Sequence, residues 1–222
     1  RSKGGERTGG SIVNISSEAG RRGSLIELLR MPALWPILAM MAVCYTPIAG
    51  LRGLWIGPYF AEVHGFDALE LGRISLWIGL AMTLGNFAYG PLDHWAKSRK
   101  RLVLSGNAVV VVCLFLLWRW ADAPPVVGVI LLMTAGFFGS SFAIVVAHGR
   151  ALIPPHLMGR GVTLLNLFGI APVGLAQIVT GRIHDATPAL TPSAPFAAVF
   201  LFFALLTALG LMVYLLARDR TD

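Results

Sequence analysis

Between Met31 and Phe60 the only charged residue is Arg52. About 20 apolar residues suffice to cross the hydrocarbon core of a bilayer, and a lone segment in lipid can satisfy its own backbone N–H and C=O groups only as a helix. Further apolar runs extend from Gly72 to Leu92, Leu102 to Trp118, Val126 to Ala147, about Val162 to Thr180, and Pro195 to Ala217. With 56% hydrophobic and 13% charged residues and a mean hydropathy of +0.72, the chain is more apolar than a soluble core requires. An all-α integral membrane protein of six transmembrane helices is expected. Pro36 and Pro47 predict a bend in the first of them, because a proline inside a helix removes a hydrogen bond and presses on the preceding turn.

The stretch Asn86 to Arg101 separates two of these runs and ends in Lys97, Arg99, Lys100 and Arg101. Cations packed into so short a loop stay on the cytoplasmic side, since moving each across costs a few kcal/mol. Alternating sides from a cytoplasmic N-terminus leaves Arg73, Arg119 and Arg182 on the opposite side and Arg52 within a span. The rest of the 18 Lys and Arg residues fall inside. Both termini are therefore expected in the cytoplasm, with a bacterial inner (plasma) membrane as the location. A net charge of +7 would suggest nucleic acid in a soluble chain. Here the cations flank apolar runs, where they orient helices and meet membrane lipid, so no nucleic-acid partner is expected.

Residues 1–23 are rich in Gly, Ser and Arg and read as a flexible cytoplasmic linker. The first residue is Arg1 and no signal-peptide core comes after it, as expected for a piece of a longer protein. Ser24 and Glu27 have capping-box spacing and predict a short amphipathic helix over 24–30, lying on the membrane surface. Residues 31–222 then hold the six spans. Cys44 and Cys113 lie inside apolar runs without metal-ligand spacing. No Ser-His-Asp set, metal-ligand cluster or phosphate loop stands out, and none of the 11 acidic residues lies near the middle of a run. Neither catalysis nor a cofactor is expected.

Polar residues within the runs are the candidate binding groups. Tyr45, Arg52 and Tyr59 recur every seven residues, with Trp55 three after Arg52, so a regular helix places them on one stripe. Thr46, Gly50, Gly53 and Gly57 form a separate small-residue stripe suited to helix packing. An embedded Arg must face water, a counter-ion or a ligand. Arg52 either meets an anionic or polar solute, with the aromatics lining the cavity, or snorkels to the interface from the end of a long span. On the fifth run Asn166 and Gln177 lie eleven residues apart, close to three full turns, with Thr163 and Thr180 on the same side. That stripe lines a solute path or hydrogen-bonds to neighbouring helices. Thr134, Ser141 and His148 repeat at seven-residue spacing on the fourth run, and Ser75, Gly79, Met82, Asn86 and Asp93 form an a/d-like pattern on the second. Asp93 reads either as a cytoplasmic gate or as an interfacial capping carboxylate.

Gly90-Pro91-Leu92-Asp93-His94 followed by Lys97, Arg99 and Lys100 resembles the signature loop of the major facilitator superfamily, approximately G-x-L-A-D-R-x-G-R-R. This sequence lacks one residue between Leu92 and Asp93, has His94 for the usual Arg, and lacks the later Gly. Gly53-Leu54-Trp55-Ile56-Gly57-Pro58-Tyr59, and Gly159-Arg160-Gly161 leading into Asn166, are similar to the superfamily as well. The resemblance covers residues 25–222 and implies the C-terminal six-helix half of such a transporter. It implies alternating access, with Asp93, Lys97, Arg99 and Lys100 in gating; the stripes read from the residues themselves set Arg52, Tyr45, Trp55, Tyr59, Asn166 and Gln177 toward a small polar or anionic solute. It also implies a partner, either an N-terminal six-helix half or a second copy of this chain. The competing expectation is a half-transporter fold kept as a membrane scaffold or assembly subunit that transports nothing.

Overall fold

The computed structural model describes residues 25–96 and 98–219. Six of its helices are long and apolar enough to cross a membrane: Pro32–His64, Ala68–Trp95, Arg99–Arg119, Pro125–Arg150, Pro155–Ala186 and Ala194–Tyr214. They are numbered here as the first to sixth spans. No strand occurs among the described residues. The expected linker, Ser24 with its capping box, and Lys97 lie outside the described residues. Leu25–Leu29 is helical with Leu28 buried, and Glu27 lies 3.6 Å from His156 Nε2 at the start of the fifth span.

Local chemistry fixes the span ends. Gly65 closes the first span in the left-handed region at φ 71°, where a side chain would be strained. Asp67 and Glu70 then form a reciprocal capping box, Glu70 N–H donating to Asp67 Oδ1 at 2.9 Å and Asp67 N–H to Glu70 Oε2 at 3.0 Å. Ser98 caps the third span by accepting from Arg101 N–H at 3.1 Å.

Two spans are interrupted midway. In the first, a helix over Trp35–Cys44 stops at Tyr45, and a short helix over Thr46–Gly50 runs into a π-helical turn over Leu51–Trp55 before the α-helix resumes over Ile56–His64. Pro47 lies at the Tyr45 break, and its missing N–H leaves the Val43 carbonyl without its helical donor. Pro36 produces no break: it lies in the first turn of its helix, where no N–H is needed. In the fourth span Pro125–Phe138 and Phe142–Arg150 are separated at Gly139-Ser140-Ser141. The breaks adjoin, since a Cβ at Gly139 would lie 3.0 Å from Ile48 Cγ1.

The second span packs on the fourth, the fourth on the third, the third on the sixth, the sixth on the first, and the first on the fifth. Mapping spans one to three onto four to six exchanges the second–fourth pair with the fifth–first pair, and the third–fourth pair with the sixth–first pair. The third–sixth pair maps onto itself, so the order of neighbouring spans repeats between the two halves of the chain. Each unit crosses an odd number of times, so the two units are inverted. The first span is the most enclosed, with 67% of its most apolar window buried, against 22% for the second and fifth. Lipid tails do not drive helices together as water does, so association rests on close packing at small residues. Gly50 faces Phe203 and Gly210 faces Val43, where an added Cβ would come within 2.8 and 2.2 Å.

Candidate functional site

The two breaks border a groove on the face shared by the first, second, fourth and fifth spans. One part, of about 400 Å³, is lined by Tyr45, Ala49, Arg52, Gly53, Ser75 and Met82. The adjoining part, of about 320 Å³, shares Tyr45 and Met82 and is completed by Asn86, Gly139, Ser140, Phe142 and Ile170. Polar groups of the fourth and second spans converge on one carbonyl of the wall. Ser140 Oγ donates to the Met82 carbonyl at 3.0 Å, and the Asn86 amide donates to the same oxygen at 3.0 Å. Tyr45 meets Phe142 edge to face, ring centroids 5.8 Å apart, one ring from each interrupted span.

Arg52 is exposed within this groove and makes no ion pair or hydrogen bond among the described residues. Its guanidinium lies across Gly79 of the second span, where a Cβ would be 3.1 Å from Nη2. Gly79 is eleven residues from Ala68, about 16 Å at 1.5 Å per residue, so the guanidinium does not reach the nearer end of that span. Gln177 lies on the other flank of the first span, its Nε2 3.3 Å from a Cβ placed at Gly53. Asn166 is half-buried on the fifth span and lines neither part of the groove.

Trp55 and Tyr59 do not share the Arg52 face. A π turn inserts one residue beyond the α-helical repeat and rotates the remainder of the helix by about 100°. The turn at Leu51–Trp55 thus moves both rings from the expected stripe into the core. Trp55 is 7% exposed and its indole Nε1 donates to Thr180 Oγ1 at 2.9 Å; Tyr59 is 1% exposed and its hydroxyl donates to the Ala121 carbonyl at 3.0 Å. The cavity-lining role expected of these two is replaced by packing on Phe196 and, for Tyr59, Phe200.

At the basic-loop end Asp93 accepts from Arg99 at both carboxylate oxygens, Nε to Oδ1 at 3.0 Å and Nη2 to Oδ2 at 3.2 Å. Lys100 turns away from that pair and donates from Nζ to the carbonyls of Leu215 and Ala217 at 2.6 and 2.7 Å, closing the C-terminal end of the sixth span. Ser98 donates to Asp219 in the same region. His148 of the fourth span is buried there, its Nδ1 2.6 Å from the Tyr214 hydroxyl and its Nε2 2.8 Å from the Arg218 carbonyl. Ser141, from the same seven-residue pattern, accepts from Asn107 Nδ2 at 2.8 Å. These residues join helices rather than line the groove.

Ser140, Phe142 and Ile170 carry no signal in the sequence, because each is an ordinary apolar or small residue until the fourth span breaks beside it. Ser75, Gly79, Met82 and Asn86 are legible as one face of the second span, and that face borders the groove. Among the described residues no group of three or more His, Cys, Asp and Glu could hold a metal ion. No family model matches the chain, and no curated protein is significantly similar to it.

Proposed function

We propose that the chain is one six-helix half of a secondary transporter that carries a small polar or anionic solute by alternating access, resembling the C-terminal half of major facilitator superfamily proteins. The observation that carries this reading is the unpaired Arg52 guanidinium in a groove where two interrupted spans meet. Discontinuous helices at a repeat interface are the recurring way transporters build a solute site within the membrane. The inverted three-span units and the open faces of the second and fifth spans support a second half across the groove, either an N-terminal six-helix half or a second copy. The Asp93–Arg99 pair supplies a cytoplasmic gate held in one conformation and released in the other. The clustering of cations at one set of helix ends supports cytoplasmic termini and a bacterial inner membrane. A scaffold subunit would instead bury Tyr45 and Arg52, the two stripe residues that line the groove, against another protein.

Proteoliposomes tested with labelled small anions and neutral polar solutes should take up at least one of them faster than protein-free liposomes. Arg52→Ala should weaken apparent affinity for that solute at least tenfold, about 1.4 kcal/mol. Unchanged affinity in the variant would remove Arg52 from the site. Uptake indistinguishable from empty liposomes, with stable capture of other membrane subunits, would favour the scaffold.

A further inference from the structure

The groove changes character along its length. At one end is Arg52 with Ser75 and the open helix face at Gly53; at the other are Phe142 and Ile170, with Tyr45 and Met82 forming the wall common to both. We propose that it binds an amphiphilic organic monoanion, an oxyanion head on the Arg52 guanidinium and an aromatic or aliphatic body along Tyr45, Met82, Phe142 and Ile170. This rests on the groove being the solute site. Among the described residues Arg52 is the one charged residue lining either part, so a single negative charge is matched, whereas a second would have no cation opposite it. The planar guanidinium suits a carboxylate or phosphate through two parallel N–H donors. Gly79 seats it, since a Cβ there would lie 3.1 Å from Nη2.

Size points the same way. Parts of about 320 and 400 Å³ fall in the range of organic-ligand pockets, roughly 300–1,000 Å³. A bare inorganic anion on Arg52 would leave the Phe142 end unfilled. A free organic acid and an anionic lipid headgroup share this chemistry, and the lipid arm of the test separates the two.

The test uses the protein in nanodiscs of zwitterionic lipid, with radiolabelled 3-phenylpropionate as probe and empty nanodiscs as blank. Unlabelled 3-phenylpropionate should displace the label at a concentration at least tenfold lower than acetate, phosphate or the neutral 3-phenylpropanamide. Arg52→Gln should bring acid and amide within threefold of each other. Ile170→Asn, at an exposed position that leaves the helix intact, should narrow the gap between 3-phenylpropionate and acetate while keeping the preference for acid over amide. If acetate or phosphate competes as well as 3-phenylpropionate and Arg52→Gln abolishes both, the amphiphile assignment fails and the small-anion site stands. If no probe binds saturably, or Arg52→Gln changes nothing, both fail. Loss of acid binding when phosphatidylglycerol is added to the discs would assign the groove to lipid and overturn the proposal.

Discussion

Tyr89 and Gly106 show how single positions set the spacing of this bundle. The Tyr89 hydroxyl donates to the Phe138 carbonyl at 2.7 Å, crossing from the second span to the fourth, and passes so close to the third that a Cβ at Gly106 would lie 2.0 Å from it. Gly106→Ala must therefore push the ring aside. Overpacking of this kind costs about 1–3 kcal/mol, with about 1 kcal/mol more if the hydrogen bond is lost. Thermal unfolding in detergent should show a clear loss of stability for Gly106→Ala. The double variant Gly106→Ala/Tyr89→Phe should recover part of it, because the clashing oxygen is gone, and strict additivity would mean that the two residues do not touch. Composition cannot reveal this contact, since Gly106 is one of 25 glycines. Arg52 is different: a lone charge in an apolar run is visible as an anomaly without any structure.

Among the elements, the first span carries the main lesson. Its length and apolarity are legible in the sequence, and so is a disturbance at Pro47. The π turn over Leu51–Trp55 is not, because no residue there forbids an ordinary helix, and the seven-residue spacing of Tyr45, Arg52 and Tyr59 suggests one face. Packing against the fifth and sixth spans selects the wider turn, which sends Trp55 to Thr180 and Tyr59 to Ala121. The end of the sixth span is likewise closed from a distance, by Lys100 on the carbonyls of Leu215 and Ala217. Lys100→Ala should cost about 0.3–1 kcal/mol, as for other cations at helix C-termini. Hydrogen exchange should show faster exchange confined to amides 212–219, and unaltered protection there would mean that Lys100 does not hold this end.

For the molecule as a whole, six crossings require the loops to alternate sides. With Cys44 and Cys113 replaced by Ala, a single cysteine at Ala96 in the basic loop should react with an impermeant thiol reagent only from the cytoplasmic face. One at Leu190, 89% exposed between the fifth and sixth spans, should react only from the other face. Labelling of both from one side would overturn the six-span arrangement. Hydropathy and charge, which are local sums along the chain, determined by themselves that there are six spans and roughly where each begins and ends, and they marked Arg52 as out of place. Tertiary structure decided what those sums cannot contain. It placed the Arg52 guanidinium over Gly79 in an open groove, committed Asp93 to Arg99, and turned Trp55 and Tyr59 inward. The physical reason is that a helix registers its own periodicity, whereas the face it turns to a groove is chosen by the helices packed against it.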